Sequence, residues 1–202
     1  MRKMHVKLTT IEGMLGTVPA NPKIYEEFIG SHAPDAATLQ DEIDALGVDA
    51  VADKGMTVFR RLEDGTPFLY DYQIKGFFKD ACGALSRLKG KDKTAKNESA
   101  KLSAYKKIID GLIFVQPRKI SIRFEGSMGE CQRPLRAQTM QGERVSLAKS
   151  EEIPAGATME FDILYFDESH LPAIEEWLAY GALRGIGQWR NSGKGRFLYE
   201  IL

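Results

Sequence analysis

The chain has 202 residues, of which 43% are apolar, and its 28 Lys and Arg are matched by 28 Asp and Glu. A chain of this size buries roughly two thirds of its unfolded surface and needs no staple, so the two cysteines, Cys82 and Cys131, read as free thiols. Zero net charge argues against a uniformly polybasic nucleic-acid binder. No stretch reaches the ~18 apolar residues of a membrane span, and the opening M-R-K-M-H-V-K-L-T-T has no apolar signal region, so a cytoplasmic location with no membrane partner is expected.

Charge is segregated along the chain. Asp35 to Asp53 is acidic with no Lys or Arg, whereas Arg87–Lys107, Arg118–Lys149 and Arg184–Arg196 are mostly basic. Such a protein presents a basic face if the basic stretches meet on one side. It presents none if acidic and basic stretches lie together and cancel.

Taken in order, Met4, Val6 and Leu8 alternate with Lys3, His5 and Lys7, the pattern of an opening strand over Lys3–Thr10. Pro22–Ile29 and Asp35–Leu46 read as two short helices, parts of an insertion spanning residues 12–72. Asp64-Gly65, between Thr57–Arg61 and Pro67–Tyr72, signals a hairpin. The strongest helix follows over Gln73–Leu88, with Ile74, Phe77, Phe78, Ala81, Leu85 and Leu88 recurring at three and four. Lys89–Ser99 is a charged loop, and Ala100–Ile109 a helix ending at Gly111. Leu112–Gln116 and Lys119–Phe124 are strands split by Pro117. Glu125–Gly142, with three glycines, Pro134, Arg133 and Arg136, is a long loop or a protruding hairpin, and its two arginines share a face if it is locally helical. Arg144–Ala148 returns as a strand. Pro154 and Gly156 turn the chain into a strand with Met159, Phe161, Ile163 and Tyr165 on one face. A helix from Leu171 carries Ile174, Leu178 and Trp177 inward. A glycine-rich loop over 184–196 then leads to a closing strand, Phe197–Leu202.

Two stretches have the composition of an anion surface. In the glycine-rich loop, Gly185, Gly187, Gly193 and Gly195 interleave with Arg184, Trp189, Arg190, Lys194 and Arg196. Glycines allow close backbone approach, arginine forks match phosphate, and Trp189 or Tyr180 could stack a base. The glycine order fits neither the dinucleotide fingerprint nor the P-loop, so no nucleotide cofactor is expected, and the alternative is a plain turn-rich connection. Gln132–Lys149 supplies Arg133, Arg136, Arg144 and Lys149 among amide and hydroxyl donors, which suits either phosphate contact or a solvated loop. Lys75 lies near the start of the strongest helix. His5, His32 and His170 have no ligand spacing, so no metal site is expected. Phe166-Asp167-Glu168 reads more readily as a helix cap than as a metal site. No nucleophile motif is present, so no catalytic residues are assigned and the chain reads as a non-enzyme rather than an enzyme. Two alternatives stay open: a metal-independent endoribonuclease using His5 or His32 as base, and a protein-interaction or self-assembly module built on the acidic stretch.

Three segments resemble the RAMP superfamily of CRISPR-associated RNA-binding proteins, in particular its Cas7-like members. Y-Q-I-K-G-F-F-K-D-A at Tyr72–Ala81 looks like that family's S-x-K-G-x-x-R helix entry. E-E-I-P-A-G-A-T-M-E-F-D-I at Glu151–Ile163 is similar to its E-x-V-P-A-G-T-x-F turn and strand, and Gly185–Arg196 stands where it has a glycine-rich loop. The resemblance extends to phage and prophage proteins of similar length. It implies an α+β fold in one domain over 1–202: a ferredoxin-like βαββαβ core, an inserted subdomain at 12–72 and a thumb-like loop at 126–142. It also implies single-stranded nucleic acid as partner, RNA ahead of DNA, in a non-catalytic role, with side-by-side assembly into a ribonucleoprotein. On that likeness Lys75, Arg123, Arg133, Arg136, Arg184, Lys194 and Arg196 become nucleic-acid contacts.

Overall fold

The computed structural model describes residues 1–20, 55–88, 97–139 and 142–202, those from 135 to 146 by backbone alone. The two helices expected at Pro22–Ile29 and Asp35–Leu46, the acidic stretch and most of the Lys89–Ser99 loop lie outside the described residues. The elements in chain order are β1 (Arg2–Thr10), β2 (Met14–Leu15), β3 (Val18–Pro19), β4 (Thr57–Val58), β5 (Arg60–Arg61), β6 (Pro67–Tyr70), α1 (Asp71–Leu85), α2 (Glu98–Lys101), α3 (Tyr105–Leu112), β7 (Ile113–Gln116), β8 (Lys119–Ser121), β9 (Gly129–Thr139), β10 (Gly142–Ile153), β11 (Thr158–Tyr165), α4 (Leu171–Arg184) and β12 (Phe197–Ile201). They form two compact units, one from Met1–Met14, Arg60–Ser127 and Pro154–Leu202, the other from Leu15–Phe59 and Met128–Ile153.

The first unit is built on an antiparallel sheet in the order β12-β1-β11-β7. With α1 following β1 and α4 following β11, this is the 4-1-3-2 strand order of a βαββαβ, ferredoxin-like core. Alternation sets the faces: Met4, Val6 and Leu8 of β1 and Met159, Phe161 and Ile163 of β11 are buried, while Lys3, His5, Lys7, Glu160 and Asp162 point the other way. Both helices put aromatic rings into this core. Phe78 lies 5.5 Å from Trp177, and Phe77 lies 5.2 Å from Phe197. Gly181 on α4 makes room for Phe197, since a Cβ there would stand 2.1 Å from the ring. Trp177 is fully buried and donates its indole N–H to Ser99 Oγ at 2.9 Å; Glu176 accepts from the same serine.

Several local expectations change. The buried stripe of α1 ends at Cys82; Leu85 is half-buried and Leu88 exposed, because the helix stops short of it. The helix expected over Ala100–Ile109 is two pieces, α2 and α3, separated by Ala104 in a left-handed conformation (φ 53°). The strands either side of Pro117 join different sheets: β7 pairs with β11, whereas β8 pairs with β6 in a small sheet of order β5-β6-β8. The Asp64-Gly65 hairpin forms as the sequence predicts, with Thr66 N–H on the Asp64 carboxylate.

In the second unit β10 lies at the centre, flanked by β2, β4 and β9, with β3 on β4. β9 and β10 pair antiparallel over a long stretch, with register running from Glu152↔Gly129 to Gly142↔Thr139. Arg133 and Arg136 therefore sit on a strand and not on a helix, so the condition for a shared helical face is not met. The Arg133 side chain is buried and donates to Ser150 Oγ at 3.0 Å, and Ser150 in turn bonds Thr57 Oγ1 at 2.7 Å. Gly16 passes so close to Val58 that a Cβ would fall 2.5 Å from its carbonyl carbon.

Candidate nucleic-acid interface

The glycine-rich loop is closed on itself. Ile186 N–H donates to Gly195 O at 2.9 Å, and Gly195 N–H donates to Gly13 O at 2.9 Å. A Cβ on Gly195 would lie 1.9 Å from Ile186 O and one on Gly185 2.5 Å from Lys194 O, and both residues have positive φ (70° and 72°). The glycines are thus explained by a backbone crossing. The cations are equally engaged. Arg184 Nε and Arg190 Nη1 both donate to Asp80 Oδ2, at 2.9 and 2.8 Å, and Arg184 also reaches Asn191 Oδ1 at 2.9 Å. Burial pushes the Asp80 carboxyl up, but hydrogen bonds and charge from the two guanidiniums outweigh it and hold it below the usual carboxylate range. Arg196 folds back, so that a Cβ on Gly193 would stand 3.3 Å from its guanidinium, and its Nε is buried with no hydrogen-bond partner among the described residues. Lys194 is half-buried. Trp189 is exposed and left-handed (φ 52°).

The open face of the sheet carries a charge ladder. Asp162 accepts from Lys3 (2.9 Å) and from His5 Nδ1 (2.6 Å), and Lys7 stands in register with Glu160 on one side and Glu200 on the other. Burial raises the Asp162 pKa, and the hydrogen bonds from Lys3 and His5 more than reverse that, leaving it low. The open face of β1 and β11 carries Lys3, His5, Lys7, Thr9, Thr158, Glu160, Asp162 and Leu164, so the two central strands offer no aromatic platform for stacking bases of the kind that RRM sheets use.

Rings and cations instead gather beside β7 and at the start of α1. The first turn of α1 is fixed by Gln73, whose side chain accepts from Tyr70 N–H, and by Asp71 N–H on Arg118 O. This sets Tyr70 and Tyr72 in a near-parallel stack with centroids 5.1 Å apart, and the Arg118 guanidinium lies 5.6 and 5.5 Å from the two rings while pairing with Asp71 at 2.7 Å. One turn on, Lys75 Nζ sits 4.9 Å over Phe114 and donates to Asp110 O at 3.1 Å. Burial pulls the Lys75 ammonium below its ordinary pKa, against the pull of Asp110. Phe114 meets Phe166 edge-on at 6.2 Å, and Tyr72, Phe114 and Phe166 are exposed by 53, 39 and 55%. An open cleft of about 600 Å³ runs past Asp71, Phe114, Gln116, Pro117, Arg118 and Phe166. A second, of about 290 Å³, shares Pro117 and is lined by His5, Lys119, Ser121, Arg123, Thr158 and Glu160.

Of the residues singled out from sequence, Lys75 and Arg123 belong to this strip. Arg184 and Arg190 are brought together on Asp80, Arg133 is buried on β9, and Arg136 lies on the same strand opposite Val145. Sequence reasoning missed Tyr70, Tyr72, Phe114, Arg118, Lys119 and Phe166. The available signal was Phe114, the out-of-phase ring in a strand whose buried positions are Ile113 and Val115.

Candidate chemistry elsewhere is spent on structure. Asp167 caps Ser169 N–H and Glu168 pairs with Arg2, so the acidic pair after β11 serves a helix entry and an ion pair. Cys82 is buried, and burial pushes its thiol pKa up. Among the described residues no group of three His, Cys, Asp or Glu could hold a metal, and no helix is long and apolar enough to cross a membrane. His32 lies outside the described residues.

No protein-family model matches the chain, and no curated protein matches it. Among solved structures, a chain of the cryo-EM structure of the type III-B Cmr-beta bound to cognate target RNA is 12% identical with a TM-score of 0.47. The match covers all of this chain, which spans only 59% of that one. A chain of a type IV-B CRISPR complex is 10% identical with a TM-score of 0.47, covering 100% of this chain and 90% of its own. The ferredoxin-like order β12-β1-β11-β7 is a property of this chain's own sheet.

Proposed function

We propose that the protein binds single-stranded nucleic acid, RNA ahead of DNA, and that binding rather than cleavage is its role. The reading is carried by one observation: exposed rings and cations share a strip on the ferredoxin-like unit, with Lys75 on Phe114 and Arg118 on the Tyr70–Tyr72 stack. Exposed rings stack bases irrespective of sequence, and neighbouring cations hold the phosphates between them. The motif resemblance to the RAMP superfamily points to the same class of ligand and to a place in a ribonucleoprotein assembly. Arg184 and Arg190, both on Asp80, hold the loop and are not counted among the contacts.

The test is titration of a labelled single-stranded oligonucleotide at several salt concentrations. Four phosphate contacts, from Lys75, Arg118, Lys119 and Arg123, give a slope of about −3 in log K against log salt for a single strand. Absence of binding to RNA and to DNA at low salt overturns the reading.

A further inference from the structure

The smaller cleft mixes charges that a plain phosphate groove would not. Lys119 and Arg123 enter it from β8 and the residues after it, and both are exposed. Glu160 enters from β11 with its side chain 49% exposed. A carboxylate beside a phosphate track is repelled by the backbone unless something on the ligand donates to it. Along a nucleic-acid backbone the sequence-independent donor is the ribose 2′-hydroxyl, which DNA lacks.

His5 makes that carboxylate available. Asp162 takes His5 Nδ1 at 2.6 Å and fixes the ring, leaving Nε2 3.9 Å from Glu160 Oε2. That separation is too long for a hydrogen bond, so the imidazole stands beside Glu160 without using its lone pairs. Ser121 adds a hydroxyl on the same wall, and about 290 Å³ leaves room for a ribose and its phosphate.

We propose that this cleft distinguishes RNA from DNA: Glu160 accepts a hydrogen bond from a ribose 2′-hydroxyl while Lys119 and Arg123 hold the adjoining phosphate. The proposal rests on the nucleic-acid reading above and adds a discriminating residue to it. A hydrogen bond to a charged acceptor is worth about 1.5–3 kcal/mol, which corresponds to roughly tenfold or more in affinity between RNA and DNA of one sequence.

Three labelled oligonucleotides of the same sequence test it by fluorescence anisotropy: RNA, DNA and 2′-O-methyl RNA. The methylated strand keeps the RNA sugar pucker but cannot donate, so it is expected to bind as weakly as DNA. Glu160→Ala is expected to weaken RNA, to leave DNA unchanged or tighter, and to bring their ratio near one; Glu160→Gln, which keeps the side-chain shape, is expected to relieve the penalty on DNA. Arg123→Ala is expected to weaken both strands alike and to preserve the ratio. Equal affinity of the native protein for RNA and DNA overturns the proposal, as does an RNA preference that survives in Glu160→Ala or methylated RNA that binds like RNA. Failure of every strand to bind sinks the nucleic-acid reading itself, and the discrimination falls with it.

Discussion

Two basic regions of the same unit differ in how far their paired cations stay exposed. The loop at 184–196 has the denser run of glycine, arginine and lysine, yet two of its arginines share the Asp80 carboxylate and its backbone crosses itself between Ile186 and Gly195. The strip beside β7 is sparser in sequence, and Arg118 there also meets a carboxylate, Asp71, but it lies over tyrosine rings with its side chain 67% exposed, against 27% for Arg184 and Arg190. Local density of charge therefore says little about which cations a ligand can use. What matters is how much of a cation stays exposed once it has met its carboxylate, and that carboxylate can be distant in sequence: for Arg190 it is 110 positions away.

The largest effect expected from this contrast is on stability. Gly195→Ala places a Cβ 1.9 Å from Ile186 O at a residue with φ 70°. Backbone strain and a forced opening of the loop together cost about 3 kcal/mol or more, visible as a lower urea midpoint. Tolerance of the substitution within ~0.5 kcal/mol would show that the crossing is not tight. Gly65→Ala, at a hairpin tip with positive φ but open space around it, is the milder control.

Next come the rings. Tyr72→Ala removes the outer member of the tyrosine stack and a partner of Arg118. Loss of base stacking is worth about 1–3 kcal/mol, so affinity for single strands drops by roughly fivefold to a hundredfold, with the unfolding midpoint little changed. Phe114→Ala is expected to match it through the loss of the Lys75 and Phe166 contacts. Unchanged affinity in both variants would move the interface off this strip.

How far the sequence discloses these regions differs with the range of the interactions involved. β1, β11, α1 and α4 are legible because each buries a face whose period is written in adjacent residues: Met4, Val6 and Leu8 by twos, Ile74, Phe77, Phe78 and Ala81 by threes and fours. The hairpin at Asp64-Gly65 is legible because its turn residues decide it. The parting of β7 and β8 into different sheets is not, because Pro117 marks the break but β11 and β6 choose the partners. The split between α2 and α3 turns on one left-handed residue, Ala104, that propensity does not mark. In the site, Lys75 is found by its place in a motif. Tyr72 and Phe166 are passed over because periodicity cannot tell a ring that faces solvent from one that faces the core.

Arginine substitutions separate the regions more finely. Arg118→Ala is expected to lower oligonucleotide affinity and to reduce the salt slope by about 0.7. Arg184→Ala is expected to leave affinity within about twofold while destabilising the fold by ~1 kcal/mol, since it leaves Asp80 with one partner instead of two. The reverse pattern would mean that the loop, with Trp189 at its tip, is the binding surface.

The smallest effect lies in the acid limb of the stability curve. The Asp80 carboxyl is held low in the folded protein because Arg184 and Arg190 favour its charged form over the opposing effect of burial. A carboxyl with a depressed folded pKa contributes stability above its unfolded value of ~3.9 and loses that contribution as pH falls through the folded value. The margin of the native protein over Asp80→Asn is therefore complete near pH 6 and shrinks below about pH 4. Asp162, held low by Lys3 and His5, adds a loss of the same sign in the same window, so the difference between native and variant isolates the loop. The substitution keeps the side-chain shape, so the experiment separates the carboxylate's charge from its packing. A margin that stays constant down to pH 3 would mean that the two guanidiniums are held by hydrogen bonds alone, and it would return Arg184 and Arg190 to the pool of cations open to a ligand.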